Sequence, residues 1–384
     1  LAEFAIGRAS EKNPVGAFAR LKGGPWTGVG YMGVLTGFII LSFYSVVGGW
    51  TIAYALKTAT GLLAISDAKA LGDVFGAFVA DPIGPVGYHG LFMALTVIVV
   101  ARGIDAGIER ACRVLMPVLF MLLAVLCVRS VTLPGAGAGI TFFLEPDFSK
   151  VSAGTVTAAL GQAFFSLSLG MGVMITYGSY ISHLENLPKA ALWVTSLDTL
   201  IAVMAGFLIL PAVFAFGFDP AAGPGLTFIT LPAVFSQMPF GAFFGTLFFV
   251  LLAVAALTSA MSLLEVVVAY LVDEKGVPRV KAAWGAGMVI FLLGIPSSLS
   301  LGVWSDFTIA GKGFFDTMDY LASNVLLPMG GIFIALFAGW VVYPRVMDAD
   351  NGGIGDEFRW AGVWRFVCRF VAPAAIAWIL VSGL

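Results

Sequence analysis

Several oxygen-bearing side chains of this 384-residue chain sit inside otherwise apolar runs, where they could act on a ligand. Gln162 to Tyr180 reads QAFFSLSLGMGVMITYGSY, with Ser166, Ser168, Gly170 and Gly172 at its middle. Asp198 lies a third of the way along an apolar run, where a carboxylate costs roughly 2.5–3.5 kcal/mol on membrane-insertion scales and must find a partner. Ala255, Thr258, Ser259 and Ser262 recur at i, i+3, i+4 and i+7, which puts them on one helix face. Tyr44 stands mid-run beside Gly48 and Gly49, and its phenol needs a hydrogen-bond partner. Oxygen donors without His or Cys suit a hard monovalent cation, not a transition metal. A helix broken at the Ser/Gly run would add free amides and carbonyls facing one spot, able to receive an anionic group and a cation.

Each feature also has a packing explanation. Ser166/Gly170 and Ser168/Gly172 are small-xxx-small pairs that let two helices approach closely. The hydroxyls of the 255–262 stripe can bond the carbonyls one turn back on their own helix. Asp198 can pair with an internal donor, although no lysine or arginine sits at matching depth in the sequence. Glu265 continues the stripe toward one end of its run and is expected to pair with a polar group there.

Covalent chemistry finds no support. The chain has three scattered cysteines and two histidines, none at metal-ligand or disulfide-framework spacing. It carries no phosphate-binding loop, no GxSxG and no HExxH. The residues point to a path or site for a solute or ion, not to an enzyme.

The elements that must hold these residues are membrane-spanning helices. Hydrophobic residues make up 60% of the chain and charged ones 11%, against roughly 25% charged in soluble domains. Mean hydropathy is +1.00, and the apolar runs have helix length. Nine spans are expected near 31–56, 88–101, 113–132, 159–181, 190–217, 239–272, 283–300, 319–343 and 364–383. Leu226 to Met238 contains Pro232 and reads as a re-entrant or capping loop. Leu1 to Gly7 reads as the end of a helix that begins upstream. With residues 8–23 in the cytoplasm, alternating loops put fifteen of the twenty Lys and Arg inside, as the positive-inside rule requires. The C-terminus then faces outward.

The stretches GQAFFSLSLGMGVMITYGSY, LTSAMSLLE, GLTFITLPAVFSQMP and RGIDAGIERACRVLMP resemble the neurotransmitter:sodium symporter family, in particular its bacterial sodium-coupled amino-acid transporters. The resemblance runs over the whole chain. It implies an all-α, polytopic membrane bundle of the inverted-repeat symporter type, with 1–384 as one transporter domain and 218–238 as an extracellular lid within it. The nine spans would be the third to eleventh helices of the family, with the first helix and most of the second upstream of residue 1. The 159–181 span would be the sixth helix, unwound around the substrate.

Carried over by position, the resemblance implies that Tyr44 bonds the substrate carboxylate and Phe165 closes over it from outside. Ile40, Ser168, Met171 and Leu263 would line the side-chain pocket, with Ser166 and Ser259 beside the substrate. Ser166 and Asp198 would ligate one sodium ion, and Ala255, Thr258 and Ser259 a second. Both sodium sites are expected to be incomplete without the family's first helix. Gln162 and Asp319 would belong to an outer gate, Tyr180 and Asp273 to an inner one, and Phe228 would lie near the outer vestibule. A carboxylate at Asp198 replaces the neutral residue of chloride-dependent members, so chloride is not expected.

The function these expectations imply is sodium-coupled symport of a small apolar or aromatic amino acid across the cell membrane by alternating access. Its partners are the amino acid and the lipid bilayer, and no nucleic acid is expected. The alternatives are a non-transporting amino-acid sensor or an ion channel on the same bundle. Sodium-dependent binding without uptake would favour the sensor, and conductance without saturable uptake the channel.

Overall fold

The computed structural model describes residues 1–218, 220, 224–348, 353–355 and 358–383. Within the expected 218–238 loop, residues 219 and 221–223 lie outside the described residues. The chain opens with two short helices, α1 (Ala2–Ser10) and α2 (Pro14–Leu21). Asn13 caps α2, its side chain accepting from the Val15 and Gly16 amides, with Pro14 at the first helical position, where no amide hydrogen is needed. Then come the long α3 (Thr27–Ala59), α4 (Ala68–Ala80) and α5 (Gly84–Ala101).

A π-helical turn over Ile104–Glu109 leads into α6 (Arg110–Val131), followed by α7 (Ala136–Leu144). The next span is in two pieces, α8 (Ala153–Ser166) and α9 (Val173–Gly178). Ser152 starts α8 with a reciprocal capping box to Thr155. Helix α10 (Leu187–Ala215) follows, then a π turn over Leu226–Thr230 and the short α11 (Leu231–Gln237). The chain continues through α12 (Gly241–Lys275) and α13 (Arg279–Leu299) to a two-residue hairpin, β1 (Thr308–Ile309) with β2 (Lys312–Gly313).

The last two spans are helical with π turns in them. One comprises α14 (Phe314–Tyr320), a π turn and α15 (Leu327–Leu336), before the short α16 (Tyr343–Met347). The other comprises α17 (Ala361–Phe366), a π turn and α18 (Ala372–Gly383).

Among the described residues, eight helical stretches are long and apolar enough to cross a membrane. They coincide with eight of the nine expected spans. The ninth, expected at 159–181, is the one whose helix is broken between α8 and α9.

Helix α3 is the central post. It packs against α12 along much of its length, and also against α5, α13 and α2. Glycine sets the closest of these approaches. A Cβ on Gly49 would come within 2.6 Å of the His89 amide on α5, so only glycine lets the two backbones lie this near. Behind it His89, fully buried, holds α3 through a 2.9 Å hydrogen bond between its Nε2 and Ser45 Oγ. Helices α6, α10 and α18 lie at the periphery with much apolar surface exposed, as faces toward lipid would be.

Candidate functional site

The break between α8 and α9 has a defined geometry. The Leu169 amide bonds the Phe164 carbonyl (3.1 Å) and the Ser168 amide bonds the Phe165 carbonyl (3.0 Å). Ser168 itself adopts φ 53. This is the Schellman ending of a helix, with serine where glycine is usual, at a cost of about 1–2 kcal/mol. Gly170 (φ 83) and Gly172 (φ 77) carry the chain across to α9. Gly170 is required twice over, because a Cβ there would also lie 2.4 Å from the Leu327 carbonyl of α15. The Ser166 and Leu167 carbonyls accept no backbone hydrogen bond among the described residues. They are left as oxygen donors at the break.

The unwound backbone has a buried partner that the sequence reading passed over. Glu3 of α1 is 4% exposed, and its Oε1 accepts from the Gly170 amide at 2.8 Å. A carboxylate within the apolar LAEFAIG was the available signal, of the same kind as Asp198.

A cavity of about 310 Å³ lies against the break, within the usual range for small-molecule sites. Its wall includes all eight residues expected at the substrate: Ile40, Tyr44, Phe165, Ser166, Ser168, Met171, Ser259 and Leu263. Gln162, Val173, Asp198 and Ser262 complete it. Ile40, Met171, Leu263 and Val173 give it an apolar side, while Tyr44, Ser166, Asp198 and Ser259 give it an oxygen-lined side. The Ser166 hydroxyl donates to Asp198 Oδ1 at 2.7 Å, which is the partner Asp198 needs. The Tyr44 phenol faces the Ser259 hydroxyl.

The stripe on α12 divides its work. Thr258 Oγ1 donates to the Ala255 carbonyl (2.8 Å), and Ser262 Oγ donates to the Thr258 carbonyl (3.2 Å) while also bonding the Tyr177 hydroxyl (2.7 Å). Two of its hydroxyls are therefore satisfied on their own helix. Ser259 lines the cavity, whereas Ala255 and Thr258 do not.

Two further cavities adjoin the first. One of about 440 Å³ shares Gln162 and Phe165 with it and is lined by Asp319, Ser323 and Asn324. Asp319 there accepts from Ser323 Oγ at 2.9 Å. The other, about 770 Å³, shares Ser168, Val173, Ser259 and Ser262 and runs past Thr258, Tyr177 and Tyr180 to Asp105 and Glu109. Phe165 stands where the first two cavities meet.

Of the four residues expected at gates, Gln162, Asp319 and Tyr180 line these cavities and Asp273 does not. Gln162 and Asp319 share one cavity wall. Tyr180 lines the other cavity and donates to Glu265 Oε1 at 2.8 Å. Glu265 is fully buried and forms a two-pronged ion pair with Arg279, whose Nε donates to the Val100 carbonyl at 3.0 Å. Asp273 instead accepts from the Asn13 side chain at 3.2 Å. Phe228 is not on the cavity wall that Gln162 and Asp319 share. It is caged by the rings of Trp50, Tyr54, Phe75 and Phe249.

The donor set fits sodium better than a transition metal. No cluster of three His, Cys, Asp or Glu occurs among the described residues. The oxygens on the cavity wall belong to hydroxyls, a side-chain amide and one carboxylate.

Comparison with known proteins bears on what such a site does. Residues 86–384 match the model of the Sodium:neurotransmitter symporter family. The chain is 42% identical over 378 residues to the sodium-dependent transporter YhdH of Bacillus subtilis (strain 168), covering 97% of this chain and 83% of that one. It is 40% identical to a sodium-dependent transporter of Haemophilus influenzae, covering 100% of this chain and 86% of the other. Its structure is similar to the crystal structure of MhsT in complex with L-phenylalanine, with a TM-score of 0.90 at 46% identity, over 100% of this chain and 87% of MhsT.

Proposed function

Because the chain belongs to the sodium:neurotransmitter symporter family, a family of multi-pass sodium-dependent transporters, we propose that it couples sodium entry to the import of a small apolar or aromatic amino acid. The observation that carries this reading is the cavity of about 310 Å³ at the broken helix, with an apolar side and an oxygen-lined side. The apolar side suits an aliphatic or aromatic side chain. The oxygen-lined side suits a carboxylate and its counter-ion. MhsT, the similar structure, holds L-phenylalanine.

Tyr44 donates to the substrate carboxylate. Ser168 and the Ser166 hydroxyl edge the same pocket, with Met171, Ile40 and Leu263 around the side chain and Phe165 above. Met171 is flexible and adapts to side chains of different shape. Ser166 and Asp198 hold one sodium ion, and the Ala255 carbonyl, Thr258 and Ser259 hold a second. A sodium ion there supplies positive charge beside the substrate carboxylate, so each ligand raises the affinity of the other by the same factor. Asp198 supplies a fixed negative charge, which makes chloride dispensable.

Alternating access exposes this cavity first to one side and then to the other. Gln162 and Asp319 serve the outer gate, with residues 218–238 as the lid. Tyr180 and Asp273 serve the inner gate, on the cytoplasmic face of the cell membrane with residues 8–23.

The test is uptake of labelled L-phenylalanine or L-leucine by the full-length protein in sealed proteoliposomes. An inward sodium gradient drives accumulation, a potassium gradient does not, and gluconate in place of chloride leaves the rate unchanged. Sodium-dependent binding without accumulation would replace transport with sensing, and a large loss in gluconate would sink the role given to Asp198.

A further inference from the structure

The turn between α5 and α6 carries a second feature that the transport reading leaves unused. Arg102 and Arg110 are both exposed, and neither guanidinium has a hydrogen bond or ion pair among the described residues. Their neighbour Arg113 on α6 differs, since it is paired with Glu109 at the end of the π turn. Beneath the two arginines opens a cleft of about 350 Å³. Its remaining wall is apolar, with Val99 from α5, Ala111, Val114 and Leu115 from α6, and Leu257 from α12. The cleft is firmly built. Gly107 packs so tightly on the Val99 carbonyl that a Cβ would lie 2.2 Å from it, which locks the π turn against the end of α5.

Two spans end at this turn, Gly84–Ala101 and Ile104–Val131, so the arginines lie at the level of lipid headgroups and the cleft descends beside the acyl chains. The nearby acids are turned elsewhere. Asp105 and Glu109 line the inner cavity on the other side of the π turn.

We propose that this cleft binds one anionic phospholipid, its phosphate held by Arg102 and Arg110 and one acyl chain lying along Val114, Leu115 and Leu257. Guanidinium forks match phosphate geometry, and basic pockets between spanning helices suit anionic headgroups. A bias of positive charge toward one face accounts for arginines at a turn. It does not account for two unpaired ones set over a formed apolar cleft.

The experiment is native mass spectrometry of the full-length protein in detergent micelles doped with phosphatidylglycerol or phosphatidylcholine, counting lipid retained. One phosphatidylglycerol is expected to stay bound, with no matching phosphatidylcholine. The double variant Arg102→Gln/Arg110→Gln should weaken its retention about 30-fold, from the usual contribution of two basic groups at a lipid surface. Val114→Trp, which fills the cleft but keeps both charges, should also release it. The double variant Lys22→Gln/Lys281→Gln, exposed lysines elsewhere, should retain it. Equal loss in both double variants, no preference for phosphatidylglycerol, retention by Val114→Trp, or displacement by inorganic phosphate alone would each overturn the proposal.

Discussion

Among single residues, Asp198 carries the sharpest test. Its carboxylate accepts from Ser166 at the cavity wall, and a charge-assisted bond of this kind contributes about 1.5–3 kcal/mol. Asp198→Asn should raise the sodium concentration needed for half-maximal uptake roughly 10- to 100-fold, by the same arithmetic. An unchanged sodium dependence would place the cation elsewhere. Glu3 offers a second test. Glu3→Ala leaves the buried Gly170 amide without its acceptor, at a cost of about 1–3 kcal/mol, whereas Glu3→Gln keeps an oxygen for it. Thermal unfolding in detergent should fall clearly for the alanine variant and little for glutamine.

The contrast between these two carboxylates shows what a sequence discloses at this scale. Asp198 stood out because its run is long and its depth could be judged. Glu3 sits in a seven-residue apolar stretch, and its partner lies 167 positions away. No local pattern announces such a pair, and the same holds for Ser45 with His89; Glu265, by contrast, was expected to pair at its end of the helix, and Arg279 meets it there.

At the level of elements, the nine spans were legible because hydropathy over about twenty residues is a strong signal. The interruption of α8–α9 was legible in kind, since two glycines and two serines at mid-depth are poor helix material. Its two-fold need for Gly170 was not, because that depends on the Leu327 carbonyl of a distant helix. Gly170→Ala should therefore abolish uptake and lower thermal stability, and wild-type uptake in that variant would mean the break can close into ordinary helix.

The segment before α12 gives another element-scale expectation. Its π turn and α11 hang on Phe228, which is 2% exposed within four aromatic rings. Phe228→Ala should remove about 3–5 kcal/mol of packing. Hydrogen exchange over Leu226–Gln237 should accelerate while that of α3 stays slow. Unchanged exchange would show that the segment is held by something else.

The whole molecule is a helical bundle in which three cavities run end to end, with the broken helix at the middle one. Polar side chains line all three cavities, and the broken helix sets Ser166 and Ser168 beside Tyr44, Asp198 and Ser259 at the middle one. The arrangement also ties transport to orientation. With residues 8–23 inside, a cysteine placed at Lys312 in the β1–β2 hairpin should react with an impermeant maleimide on intact cells, and one placed at Lys22 should not. The reverse pattern would invert the positive-inside assignment.

The central claim is that the cavity recognises an amino acid only in company with sodium. Equilibrium binding of labelled L-phenylalanine to the purified full-length protein tests it most directly, with sodium titrated against potassium at constant ionic strength, for wild type and Asp198→Asn. The account predicts affinity that climbs with sodium in wild type and climbs far less in the variant. Binding of equal strength in sodium and potassium would contradict it.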